Sequence, residues 1–397
     1  TRKESSAASD VYKRQMQRTL ARVGKKPAAC PPDGMHDATG LGRTSVHLGP
    51  HNKDSETIST VKTHTSTPPR KATASDVARE AGVSKWTVAR AFTAGASISP
   101  HSRESVMAVA QRLGYRPNLL ARSLSTKRTH QVAVMVDDFA NPHKLLALEM
   151  LTAELQANNL MAMLIHIGEA FDDTHAFLTA DQRQVDAVVM FGSGFRASTL
   201  QQTQRDDSPP LYVLARESTI DGVPSVSCDV EPSMGEIVAH LAGKGYRRPG
   251  FMSGPKPLLT QVGRQQYHAK HWLKRGIDNI VEIPSGQYSL DAAQKALRHY
   301  LRSTPEAERI DALVCENDVL ALGAIDVARH EFGLQVPGQL AIVGYDGIEL
   351  GRLASFGLTT YEQPMREMVR VLVEMILGQR EPASLALRGR LILRQSA

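Results

Sequence analysis

The chain has 397 residues, 42% of them hydrophobic and 22% charged, enough for two or three globular domains with sizeable cores. No apolar run approaches the roughly 20 residues of a membrane helix, and Cys30, Cys228 and Cys315 form no CxxC pair, which argues against a helical membrane protein, a zinc ribbon and a disulfide scaffold. The net charge of +6 is uneven: residues 71–130 carry 10 Lys and Arg against 3 Asp and Glu, whereas residues 131–397 carry 25 against 32. A basic module ahead of an acidic body points to nucleic acid, because cations that neutralise phosphates release counterions; a solubilising charge run would give the same count.

Residues 1–70 are rich in Ser, Thr, Pro, Gly and His and have little apolar periodicity, so they are expected to be disordered. The opening TRKESSAASDVYKRQ does not read as the start of a native domain, and 1–70 is set aside as a disordered or non-native leader. Residues 71–117 spell three short helices. Thr73 can cap the first and Gly82 ends it; Ser84 caps the second; Ser99 and Pro100 open the third and Gly114 closes it. A linker, 118–130, follows. From 131 to 397, apolar β-type runs such as QVAVMV, VDAVVMF and LAIVGYD alternate with amphipathic helical stretches, the pattern of parallel sheets covered by helices on both faces. Nine or more strands suit two similar lobes with a cleft between them better than one sheet. No secretory signal precedes these domains, so a reducing, cytoplasmic setting is expected.

The stretch DVAREAGVSKWTVARAF, 76–92, supplies the parts of a helix-turn-helix: a short helix, a glycine turn and a second helix free to enter a major groove. Val77, Ala78, Ala81, Val83, Val88 and Ala91 form the facing apolar surfaces. Lys85, Trp86 and Arg90 should project outward, where Arg90 can pair with guanine. Ser84 and Thr87 can hydrogen-bond phosphate. A helical hairpin docked on its own core, with Trp86 half buried, is the plain alternative.

The run TASDVAREAGVSKWTVARAF…ISPHSRESVMAVAQRLGYRPNLLARSLSTKRT resembles the headpiece of the lactose-repressor (LacI/GalR) family of bacterial transcription regulators. The likeness continues through VAVMVDDFANPH, LAGKGYRRPGFMSGP, ENDVLALGAIDVARHEFGLQVPGQLAIVGYDG and LTTYEQP, from about 72 to the end. It implies a fold of helix-turn-helix headpiece, hinge helix and two Rossmann-like lobes of the periplasmic-binding-protein type. Lobe one would hold about 131–228 and 357–388, lobe two about 229–356 and 389–397. It also implies DNA contacts at Thr73, Tyr115, Arg116, Asn118 and Ala121, a minor-groove wedge at Leu124, and operator discrimination by Lys85 and Trp86.

For the cleft, the resemblance implies that Asp318 accepts hydrogen bonds from an effector, Arg264 grips it and Tyr288 packs on it. His143 and Lys144 stand where the family often has aromatics, and Tyr267 and His268 replace a glycine and an aromatic. These exchanges suggest a sugar acid or phosphorylated sugar. The expected partners are duplex operator DNA, a small effector and a second copy of the chain, as a dimer or a tetramer, with no cofactor or metal. FGSGFR (191–196) lacks the third glycine of a dinucleotide loop, and no GxSxG, HExxH or P-loop occurs, so the body reads as a sensor rather than an enzyme. A solute-binding protein of transport or chemotaxis is the competing reading, and a sugar-active enzyme fused to a DNA-binding module a third.

Overall fold

The computed structural model describes residues 70–397 except 94, 119–122, 124–127, 169–171, 194, 197–198, 200–204, 206, 257–259 and 262. The expected leader and the hinge residues Ala121 and Leu124 lie outside the described residues.

The three expected helices form as α1 (Ala74–Glu80), α2 (Lys85–Ala91) and α3 (Pro100–Leu113). Thr73 and Asp76 close a full capping box on α1, and Ser84 and Ser99 cap the other two. Gly114 ends α3 at φ 62°, a left-handed conformation that costs a glycine little. Val77, Val88 and Val106, one from each helix, are fully buried at the centre of a small core. Arg103 ties α3 to the end of α2 by donating to the carbonyls of Ala91 (2.6 Å) and Ala96 (3.1 Å), which satisfies acceptors a helix end leaves open.

The body contains two doubly wound sheets. The first lobe builds β1 (Gln131–Val136), α4 (Pro142–Ala157), β2 (Met161–His166), α5 (Asp173–Gln182), β3 (Ala187–Phe191), β4 (Leu211–Leu214), β5 (Glu217–Ser218) and β6 (Ser225–Cys228). The chain then crosses to α6 (Val230–Gly243), β7 (Pro249–Ser253), β8 (Thr260–Gln261), α7 (Arg264–Leu273), β9 (Val281–Pro284), α8 (Leu290–Ser303), β10 (Ala312–Cys315), α9 (Asp318–Asp326), β11 (Ala341–Asp346) and β12 (Thr359–Glu362). It returns through α10 (Met365–Ile376) and β13 (Leu385–Leu387) before ending in β14 (Arg390–Ile392).

Strand order is β13-β6-β4-β3-β1-β2 in one sheet and β14-β12-β11-β10-β7-β9 in the other, all parallel save the β12–β14 pair. Central strands such as β1 and β3 are apolar on both faces because helices cover both. Each sheet has a core on either side. One face of the first holds Val134, Leu151 and Leu372, and the other holds Met135, Phe177 and Val188.

Two details differ from the sequence reading. The return to lobe one, expected at 357, comes only after β12, because TTYE pairs in register with β11 (Val343 with Thr359 to Asp346 with Glu362). Strands β5 and β8 carry no signal in the sequence; too short for an apolar period, they pair antiparallel and join a segment following β4 to one following β7.

Candidate functional site

Two surfaces stand out, one on the headpiece and one between the lobes. On the headpiece, Ser84 Oγ accepts from the Thr87 amide at 3.1 Å and shares a 3.0 Å hydrogen bond with the Thr87 hydroxyl. This cap fixes the first turn of α2, from which Lys85 and Trp86 face solvent. Trp86 is 66% exposed, which decides against a half-buried core tryptophan. Arg90 lies back across it, its guanidinium 4.2 Å from the ring centroid, while its Nε donates to the Ser97 carbonyl at 2.9 Å. Arg90, expected to project outward, is therefore positioned and half-buried.

The remaining headpiece residues divide by role. The Thr73 hydroxyl is engaged with Asp76 at 2.7 Å, so its visible work is capping α1. Tyr115 packs edge-on against Phe92 (5.7 Å) at the rim of the core, and burial pushes its phenol pKa up. Arg116 and Asn118 are exposed.

The second surface is a cleft lined from both lobes, at the carboxyl ends of strands and the amino ends of helices, where open α/β sheets gather ligands. His143 and Lys144 lie on the first-lobe wall, at the start of α4, which Asn141 caps through a 3.0 Å bond to the His143 amide. Lys144 is paired with Asp137 and sits 5.8 Å over the Phe191 ring. His143 is buried, and desolvation lowers its pKa, so the imidazole is neutral. Past β4, Ala215 adopts φ 63°, a conformation that costs a side chain about 1–2 kcal/mol, and Arg216 follows into the cleft.

The second-lobe wall is built around Arg264, the first residue of α7 and 6% exposed. Its guanidinium lies 3.7 Å over the Tyr345 ring, donates to the Glu316 carbonyl and stands 3.7 Å from Asp346 Oδ1. Asp346, at the end of β11, holds φ 124°, a second strained position on the cleft wall. The same carboxylate oxygen accepts from Gln363 Nε2 at 2.7 Å, and that nitrogen lies 3.3 Å from His143 Nε2. A polar chain thus runs from Arg264 in one lobe to His143 in the other. Tyr288 completes the wall; its hydroxyl accepts from Arg216 Nη2 at 3.2 Å, and burial pushes its pKa up to about 12, so it stays a phenol. Gly254 leaves room for that ring, since a Cβ there would come within 2.1 Å of Tyr288 Cε1.

The cleft therefore brings together His143, Lys144, Arg264 and Tyr288 of the residues expected there. It departs from expectation at Asp318, which is fully buried behind the wall. The Asp318 carboxylate accepts from the Thr360 hydroxyl at 2.6 Å and the Ile348 amide at 2.7 Å. Burial, then the nearby Asp346, push its pKa up to about 7. Asn317, the residue before it, caps α9 and lines the cleft instead.

His268 also departs from expectation. It is buried, accepts from Trp272 Nε1 at 3.0 Å and stacks near Phe251, and burial, with His271 adding a smaller effect, pushes its pKa down to about 3. It brings no positive charge to the cleft. Tyr267 lies outside the cleft lining, under Lys270. Sequence reasoning missed Asn141, Phe191, Arg216, Asp346 and Gln363 as cleft residues. A search of strand ends and helix starts would have flagged most of them.

Two family models match the chain: bacterial regulatory proteins of the lacI family over residues 73–118, and the periplasmic binding protein-like domain over residues 238–397. Among curated proteins, HTH-type transcriptional regulator CelR of Thermobifida fusca is 29% identical over 342 residues, covering 82% of this chain and 98% of that protein. Catabolite control protein A of Priestia megaterium is 27% identical over 308 residues, covering 76% and 90%. Of solved structures, a CelR–cellobiose complex is 27% identical, covers 82% of this chain and 100% of that one, and superimposes with a TM-score of 0.59. A lac repressor dimer bound to operator and an anti-inducer, 23% identical, covers 82% and 99% with a TM-score of 0.70 and shares the fold.

Two outcomes follow from the electrostatics of these buried groups. Asp346→Asn leaves a buried guanidinium without its carboxylate and should lower stability by about 3–5 kcal/mol in urea unfolding; a loss under 1 kcal/mol would show the pair to be dispensable. For His268, the unfolded chain takes up a proton below about pH 6.5 while the folded one resists it down to about 3. Stability should thus fall as pH drops through that window, by about 1.4 kcal/mol per pH unit from this group. The difference between wild type and His268→Gln, measured by unfolding from pH 7 to pH 4, should display that slope; parallel curves would contradict it.

Proposed function

Because the chain belongs to the lacI family of bacterial regulatory proteins, we propose that it is a DNA-binding transcriptional regulator of the repressor kind, acting in the cytoplasm, whose affinity for an operator is set by a small polar effector in the interlobe cleft. The observation that carries this reading is the exposed Trp86 stacked under Arg90 beside Lys85 on the second helix of a helix-turn-helix. A solvated helix gains nothing from displaying an indole among cations. A helix entering a major groove gains apolar contact from the indole and base-edge or phosphate contacts from the cations. The Arg90 Nη groups, held by the Trp86 stack and the Ser97 bond, are preset for such a contact. Thr73, Tyr115 and Asn118 flank this helix in sequence as backbone-contact candidates, and Ala121 and Leu124 as hinge candidates. The same helix-turn-helix counts against a solute-binding protein of transport.

In the cleft, the neutral His143, Lys144, Arg264, Tyr288, Asn317 and Gln363 offer donors and ring surface suited to a hydroxyl-rich ligand. We read the working form as a homodimer. Leu145 and Leu146 on α4 and Met161 and Leu164 on β2 are large apolar side chains left exposed, and β2 is an edge strand against which α4 packs. A strip of this kind on a sheet edge is a liability unless a partner covers it.

Selection of duplexes from a random library by the full chain should enrich a two-fold symmetric site, and Lys85→Ala or Arg90→Ala should each weaken its binding by about 1–3 kcal/mol in gel shifts. Failure to enrich any sequence, or undiminished binding by both variants, would overturn the DNA-reading role. Leu164→Glu should convert the dimer to monomer in sedimentation equilibrium; an unchanged mass would place the interface elsewhere.

A further inference from the structure

The cleft holds three cations, and two of them have carboxylate partners: Lys144 has Asp137 and Arg264 has Asp346. Arg216 has none within ion-pair distance among the described residues. Among those residues its Nη2 donates to the Tyr288 hydroxyl, while its buried Nη1 meets no acceptor. Arg264, itself 6% exposed, likewise keeps a buried Nε with no acceptor. The carboxylates that could have served are committed: Asp346 to Gln363 and Arg264, Glu316 to the Gly254 amide, Asp137 to Lys144 and Ser193. Three helices, α4, α7 and α9, also begin at the cleft and direct their positive ends toward it.

A buried guanidinium N–H without an acceptor costs more than an ordinary unmade hydrogen bond, and the placement of two in one cleft, one from each lobe, calls for an acceptor brought from outside. Tyr288 lies beside both, since Arg216 bonds its hydroxyl and Arg264 lines the same cleft. Resting on the reading of this cleft as the effector site, we infer that the effector is an anionic sugar derivative whose carboxylate or phosphate oxygens pair with Arg216 and Arg264 beside Tyr288. Arg216 is then the residue that separates charged from neutral ligands. Charge-assisted and bidentate pairing makes an arginine suited to either oxyanion. The strained turn at Ala215 holds it at the cleft.

The experiment is calorimetric titration of the full chain with D-gluconate, D-glucose 6-phosphate and D-glucose at fixed ionic strength, repeated on Arg216→Gln and Arg216→Lys. The expected result is that at least one anion binds the wild type about tenfold to a hundredfold more tightly than glucose. That preference should vanish in Arg216→Gln and persist in part in Arg216→Lys. Binding of neither anion, equal or tighter binding of glucose, or a preference that survives Arg216→Gln overturns the inference; the gluconate and phosphate arms tell the two oxyanions apart. Gel shifts on the same preparations keep the two readings separate. DNA binding with no anion preference removes only this inference, whereas absent DNA binding removes the regulator reading.

Discussion

The cleft is organised by the need to keep one buried guanidinium in a low-dielectric wall. Arg264 is tolerable there because three things meet it: the Tyr345 ring face, the Glu316 carbonyl and the Asp346 carboxylate. A buried ion pair rarely stabilises a fold on balance, since desolvation offsets most of the attraction. What it does is fix geometry. Asp346 accepts a strained backbone to reach Arg264, and through Gln363 the same carboxylate is linked to His143 across the cleft. The polar groups of both lobes therefore share one hydrogen-bonded register.

That sharing couples a ligand in the cleft to the spacing of the two lobes. A ligand shifts a conformational equilibrium only by its differential affinity for the two states. A molecule that pairs with Arg216 on one lobe and Arg264 on the other can favour one lobe spacing over another, because it makes both contacts only at a fitting separation. The chain crosses between lobes after β6, after β12 and after β13, so such a change is a rotation about covalent crossings rather than a sliding of separate bodies. A coupling of about 1–3 kcal/mol is the usual scale for such a link.

Much of this was legible in the sequence where local physics dominates. Helix caps at Thr73, Ser84 and Ser99, the glycine at 114 and the β-branched central strands follow from side-chain chemistry within a few residues. Arg264, Tyr288, His143 and Lys144 stand at the cleft because they fall at helix starts and loop ends that the fold directs there. Asp318 departs from expectation because of residues distant in sequence: the Ile348 amide and the Thr360 hydroxyl engage its carboxylate inside the protein. His268 sits one helical turn from Trp272 and became its acceptor. The pairings of Arg216 and Gln363 were not legible, because their partners lie far away in sequence. Only the strand order brings Gln363 to His143, or Arg216 to Tyr288.

The most direct measurement of the central claim is the affinity of the full chain for its selected duplex with and without a small molecule that occupies the cleft. The account predicts a change of about 5- to 150-fold that disappears in Arg264→Ala, whose cleft no longer grips the ligand. An affinity for DNA that is the same with the cleft empty and filled would contradict it.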